Sequence, residues 1–169
     1  MTLKTTLAAA AIATSTLTSS VAAETIVDIA VADERFSTLV AAVTAAGLAE
    51  TLSGPGPFTV FAPTNAAFSL LPEETTTMLM MSDNRADLQK VLTAHVIPDK
   101  VTASDLMMWI KPTGSYTAET VSGDMLTFYM IDGKVKIADE NGTLATVTTA
   151  DVQQSNGVVH VINSVLVPK

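Results

Sequence analysis

The sequence predicts an α+β fold, and three observations carry that prediction. Apolar residues recur at helical spacing through most of the chain before Gly114, and at a period of two after it. Helices and strands are segregated into halves instead of alternating, which separates α+β from a parallel α/β fold. One strand-like run, Phe58 to Ala62, lies in the helical half and must pair with something distant.

The first residues are set aside before any fold reasoning. Lys4 gives a short positive start, Leu7 to Leu17 is an Ala-rich apolar run, and Val21-Ala22-Ala23 is a small-residue cleavage site. That order reads as a secretory signal peptide over residues 1–23, cut after Ala23. The apolar run is too short and Thr/Ser-diluted for the roughly 20 residues of a membrane span, so no transmembrane anchor is expected. What remains, 169 − 23 = 146 residues, suits one domain over 24–169. With no cysteine in the chain, the core alone must carry stability. Seventeen Asp and Glu against nine Lys and Arg give a net charge of −8. That balance argues against nucleic acid and anionic membranes as partners.

The helical half reads in order. Thr25 to Ala32 is a short helix at best, whereas Phe36, Leu39, Val40 and Val43 mark an amphipathic helix that Gly47 interrupts. Leu48 and Leu52 continue the stripe. After the Pro/Gly-rich Gly54 to Pro57 comes the strand Phe58 to Ala62, a dense apolar run that belongs in a core. Pro63 stops it, because proline cannot donate a ladder hydrogen bond. Thr64 and Asn65 can then cap a helix that starts at Ala66 and seats Phe68. Pro72 suits a first helical residue, followed by Glu73 and Glu74. Ser82 or Asp83 caps the next helix, whose apolar face is Leu88, Val91, Leu92 and His95. Val96 and Ile97 form a short strand ended by Pro98. Thr102 to Asp105 has the form of a capping box, leading Leu106, Trp109 and Ile110 onto one face.

In the second half, Asp132-Gly133 is a strong two-residue hairpin signal. Pairing Ile131 with Lys134 sets Met130 opposite Val135 and Phe128 opposite Ile137. Tyr129, Ile131, Lys134 and Lys136 then collect on a wetter face, so the register sorts itself. Asn141-Gly142 marks another turn, and Leu144 to Val152 another strand. Val158 to Ile162, after Asn156-Gly157, is apolar on both faces, as a central strand would be.

Two ordered motifs in this layout resemble the signatures of the fasciclin-like domain family. One is Gly56-Pro57-Phe58-Thr59-Val60-Phe61-Ala62-Pro63-Thr64-Asn65-Ala66-Ala67-Phe68. The other is Asn156-Gly157-Val158-Val159-His160-Val161-Ile162-Asn163-Ser164-Val165-Leu166-Val167-Pro168. The helix from Phe36 to Leu52 and the central His95 lie where the family places such features. One departure is Ala94, where the family usually carries tyrosine before that histidine. The resemblance implies a wedge-like mixed β-sheet with several helices concentrated in the N-terminal half, and two signatures that lie close together in the core. It implies as function an exported, non-enzymatic adhesion or interaction module, meeting a cell-surface or matrix protein or glycan. Asp151-Val152 stands where some animal members carry an Asp-Ile pair implicated in integrin binding, which makes it a candidate partner contact; a structural reading has Asp151 capping a turn.

Other candidate sites are sparse. Two histidines without cysteines give no zinc spacing, and no cofactor is expected. No Gly-x-Ser-x-Gly elbow occurs, and Glu73-Glu74 and Asp139-Glu140 are neighbours in caps or turns, not a facing pair. His95 and His160 read as core residues held by hydrogen bonds. Met78, Met80, Met81, Met107 and Met108 form two clusters. Methionine ordinarily fills gaps in a core; the alternative is an adaptable apolar surface for a partner or ligand. The carrier reading, an exported protein holding a pigment or lipid, places that ligand beside these helices.

Overall fold

The computed structural model describes residues 24–168; the signal-peptide reading of residues 1–23 lies outside them. In chain order the elements are α1 (Ile26–Ala32), α2 (Ser37–Ala46), α3 (Ala49–Ser53), β1 (Phe58–Pro63), α4 (Asn65–Phe68), α5 (Glu73–Met80), α6 (Arg85–Thr93) and β2 (Val96–Ile97). There follow α7 (Ala103–Thr113), β3 (Ser115–Glu119), β4 (Met125–Ile131), β5 (Lys134–Ala138), β6 (Leu144–Gln154) and β7 (Gly157–Ile162). The strands form one seven-stranded mixed sheet in the order β2-β1-β7-β6-β5-β4-β3. The fold is an α+β wedge.

The isolated strand of the helical half finds its distant partner in β7. The two run parallel, with Phe58 opposite Gly157 and Pro63 opposite Ile162, while β2 closes the other edge of β1. Both central strands are buried on their two faces. Val60, Ala62, Val159 and Val161 face a core layer roofed by α1, α2 and α6. Phe61 and Ile162 face the opposite layer, filled by Leu106 and Ile110 of α7 with Leu126, Phe128, Val135 and Ile137 of the hairpin. The backbones approach so closely that a Cβ on Gly157 would collide with the Phe58 carbonyl, and one on Gly56 with the Asn156 carbonyl.

The hairpin pairs as its pattern requires: Ile131 with Lys134, Met130 with Val135, Phe128 with Ile137. Asp132 and Gly133 both take positive φ, 54° and 72°, the backbone a two-residue turn between right-twisted strands needs. The strand β6 runs two residues beyond the expected Val152 and is interrupted twice, between Val147 and Thr149 and between Thr149 and Val152. Each interruption adds one residue against β7, and Asp151 beside them sits at φ 59°.

Several boundaries differ from expectation, each for a local reason. Helix α5 starts at Glu73, one residue later than foreseen, with Pro72 as its cap, and α6 starts at Arg85 after a 3-10 turn, Ser82–Asn84. Its cap is Asn84, without a side-chain bond. Helix α4 begins at Asn65 with Thr64 alone as its cap. Trp109 lies at the flank of α7, partly exposed and stacked on Tyr116 with ring centroids 4.6 Å apart. Phe58, at the mouth of β1, is only half-buried, so the apolar weight of the strand rests on Phe61, which is fully buried against Phe128 and His160. Phe61→Ala should therefore cost about 3–5 kcal/mol and Phe58→Ala clearly less, read from urea unfolding midpoints of the two variants.

Candidate functional site

The signature residues meet at the centre of the sheet, where their polar groups serve the backbone. His95 is not on the face of α6; the helix ends at Thr93 and the histidine lies in the turn before β2. Its Nδ1 lies 2.7 Å from the Val91 carbonyl, and its Nε2 accepts the Leu166 N–H at 2.9 Å. A carbonyl can only accept, so the proton belongs on Nδ1 and the ring is neutral. His160 has the opposite tautomer: Nε2–H donates to the Val101 carbonyl at 2.8 Å, and Nδ1 accepts the Asp151 N–H at 3.3 Å. Burial pushes the His95 pKa down to about 4, against the smaller pull of the Val91 bond and Asp139. Burial lowers His160 as well, opposed by its Val101 bond and Asp151. Neutral rings with both nitrogens engaged are poorly placed for general acid–base work. Neither bond set involves residue 94, so alanine in place of the family's tyrosine leaves both histidines satisfied.

The local caps Thr25 and Thr102 close capping boxes on α1 and α7, the latter as the sequence predicts, and three helix N-termini receive a further bond from residues far along the chain. The Asn65 side chain accepts the Thr38 N–H of α2 at 3.0 Å and donates to the Glu34 carbonyl and the Ser37 hydroxyl. Asn65 is thus a cap, as expected, but of a helix 27 residues earlier. Asn156 accepts the Ile26 N–H of α1 at 3.1 Å and donates to the Leu52 and Gly54 carbonyls, tying the start of α1 to the end of α3. The Asp151 carboxylate accepts the Ala103 N–H of α7 at 2.7 Å. Its bulged, left-handed backbone aims it there, across the sheet edge instead of along the strand. Val152 is half-buried against the helical core layer. The candidate contact pair therefore has internal partners: a helix terminus for Asp151, apolar packing for Val152.

Two further polar residues, the signature residue Thr59 and the turn residue Asp139, also serve the backbone. Thr59, fully buried, donates to the Asp99 carbonyl at 2.6 Å and accepts the Val101 N–H at 2.8 Å, clamping the loop before α7. Asp139, also buried, accepts the N–H groups of Asn141, Thr143 and Val167. Thr59 belongs to the first signature motif, and Asp139 caps the Asn141-Gly142 turn beside which the sequence places it; its bond to Val167 carried no local signal. Among the described residues no buried side-chain nitrogen or oxygen lacks a partner, and no group of three His, Asp or Glu is placed to hold a metal ion.

The methionines divide. Met78, Met81, Met107 and Met108 are 57%, 51%, 47% and 62% exposed, whereas Met80 packs against the helical core layer. Four of the five thus lie at the surface instead of filling the core. The two clusters do not share a surface feature: α5 packs on α6, while α7 packs on β3, β4 and β5. The enclosed apolar space lies elsewhere, between α1 and α2. It is a cavity of about 70 Å³ lined by Val27, Ala30, Val40 and Val43, with Val60, Leu92 and His95 among its other walls. Residues i, i+1, i+4 and i+5 of both helices face it, a pattern spread over two short segments that sequence reading missed.

Fold and site together define an α+β scaffold whose marked polar residues hold backbone segments in place and whose unspent chemistry is apolar and external. The chain belongs to the fasciclin domain family, whose model matches residues 34–168. It is 49% identical over 146 residues to the Synechocystis protein sll1483, covering 86% of this chain and 74% of that one. It is 36% identical over 144 residues to the transforming growth factor-beta-induced protein ig-h3 of Sus scrofa, covering 85% of this chain but only 19% of the porcine protein. Among solved structures, the FAS1 domain pair of the insect cell adhesion molecule fasciclin I superposes with a TM-score of 0.74 at 22% identity, over 84% of this chain and 50% of that one. That likeness shows the fold.

The histidines make stability depend on pH. Unfolded, His95 takes a proton near its ordinary 6.5; folded, it resists until about 4. Stability is complete above about pH 6.5 and declines as pH falls towards 4, by about 3 kcal/mol from this residue, with His160 acting in the same direction. Urea unfolding at pH 7 and pH 4.5 measures the loss, and His95→Gln should flatten it. Asn156→Ala removes three bonds at once and should cost about 2–3 kcal/mol. Faster amide exchange at Ile26 would localise that loss to α1.

Proposed function

We propose that this chain is an exported, non-enzymatic adhesion or interaction module that acts at the cell envelope or in the extracellular matrix through protein or glycan contacts. Membership of the fasciclin family supports an adhesion-type module. The observation that carries the rest is the distribution of chemistry. The polar side chains of the two signature motifs are consumed by backbone bonds, and several large apolar side chains face outward: Met107, Met108 and Trp109 on α7, Met125 and Ile131 on β4, Leu70 and Met78 around α5. Large apolar side chains on the outside of a net acidic chain suit contact with a partner better than solvation alone. Export rests on the reading of residues 1–23, and no helix among the described residues is long and apolar enough to cross a membrane. Deleting the gene should reduce attachment or biofilm formation; attachment unchanged across several surfaces would overturn the proposal.

A second reading is an exported carrier of a small apolar ligand such as a pigment or lipid. The aliphatic walls between α1 and α2 suit such a ligand, but a cavity of about 70 Å³ would have to widen severalfold to hold one. Protein purified from its own source should then carry a chromophore or lipid detectable by absorbance and mass spectrometry. A clean apo protein removes this reading.

A further inference from the structure

Five thioethers stand on the outside of this fold, against the habit of the residue. Methionine is among the side chains most often buried, because its flexible chain fills gaps in a core. Of the seven methionines among the described residues, Met78, Met81, Met107, Met108 and Met125 are exposed. None of these five belongs to either core layer. Met80 and Met130, the other two, are half-buried, one against the helical layer and one against the hairpin layer. The exposed sulfurs sit on three elements: Met78 and Met81 at the end of α5, Met107 and Met108 on α7, Met125 at the start of β4.

Nothing else in the chain competes with these sulfurs for an oxidant of thiols and thioethers. The chain has no cysteine, so no thiolate takes up the oxidant first. A thioether reacts with a peroxide by a two-electron transfer of one oxygen. The sulfur lone pair attacks, the O–O bond breaks, and the sulfur becomes a sulfoxide. The second peroxide oxygen keeps both hydrogens and leaves as water.

The product has different effects at the two kinds of site. A sulfoxide is polar, and at an exposed position water solvates it with no packing lost. At Met80 or Met130 the same group would set an unpaired dipole against a core layer, which costs stability. The outer surface changes most, since five thioethers there stand beside only Leu70, Trp109 and Ile131 in the same regions. We propose that the five exposed methionines form a modification site for peroxide. Their sulfoxides strip α5, α7 and β4 of outward apolar character while the fold stays intact. Resting on the interaction-module reading, the consequence is a contact that an oxidant turns off. A thiol-dependent methionine sulfoxide reductase is the class of enzyme that restores it: the oxygen leaves as water and a dithiol becomes a disulfide.

The test treats the purified, folded chain with hydrogen peroxide and follows each methionine by peptide mass spectrometry. The five exposed residues should each gain one oxygen about tenfold or more faster than Met80 and Met130. When the five have reacted, the thermal melt should match that of untreated protein, and retention on a hydrophobic-interaction column should fall. A variant with Met78→Leu, Met81→Leu, Met107→Leu, Met108→Leu and Met125→Leu keeps an apolar surface that cannot be oxidised. Its retention should not change under peroxide. If that variant does not fold, Met107→Leu with Met108→Leu should remove part of the change. Equal rates at all seven residues overturn the proposal, as does a melt that drops while the first five react, or retention that peroxide leaves unchanged. Attachment separates the two readings. Attachment that persists in peroxide-treated protein overturns the switch alone. Attachment unaffected by deleting the gene removes the module reading, and the modification site then stands or falls on the rates and the column.

Discussion

Every helix begins with N–H groups that its own backbone cannot satisfy, and this fold answers that demand from a distance. Asn65 serves α2, Asn156 serves α1 and Asp151 serves α7, each from beside a strand of the sheet. An N–H left unsatisfied under a core would cost more than the bond returns. Helix positions are therefore fixed by the register of the central strands: slide β7 against β1 and Asn156 loses α1 and α3 together. The two histidines add to this arrangement by linking the turn after α6 to Leu166, and the loop before α7 to the bulge of β6. Residues that mark the family in sequence are thus the ones that join elements across the sheet.

What could be read from the sequence follows from how local each signal is. The hairpin register was legible because a two-residue turn and a period of two leave one pairing that keeps Phe128 and Ile137 on the same side. The central position of β7 was legible because both its faces are apolar. The caps were not. Asn65 stands two residues after a strand-stopping proline and looks like the cap of the helix it begins, while its partner is 27 residues behind it. His95 fits the periodicity of α6 and yet lies past its end, since the helix stops at Thr93 and only the backbone shows that. Composition could not decide whether the methionines were inside or out, because a flexible thioether suits both places.

The sheet also divides the labour of the molecule. Its centre is buried twice over, so β1 and β7 have no side chain left for a partner. Its outer strands bury one face and leave the other to Tyr129, Ile131, Lys134 and Lys136. Exposed apolar side chains include several on the outer side of α7 and around α5. The scaffold can stay constant while these surfaces vary, which is how one fold serves different partners.

The parallel pairing of Phe58 with Gly157 has a consequence for how the chain comes to be folded. The central ladder joins segments about a hundred residues apart, and loop closure over that distance must precede any return from it. A chain that emerges from a ribosome or an export channel N-terminus first presents β1 long before its partner exists. Until β7 arrives, α1 has no Asn156 to receive its first N–H, and Val60 and Ala62 have no neighbouring Val159 and Val161. Residues made later lock those made earlier, so the nascent chain must be kept from aggregating as an open set of helices and an unpaired apolar strand until β7 has emerged.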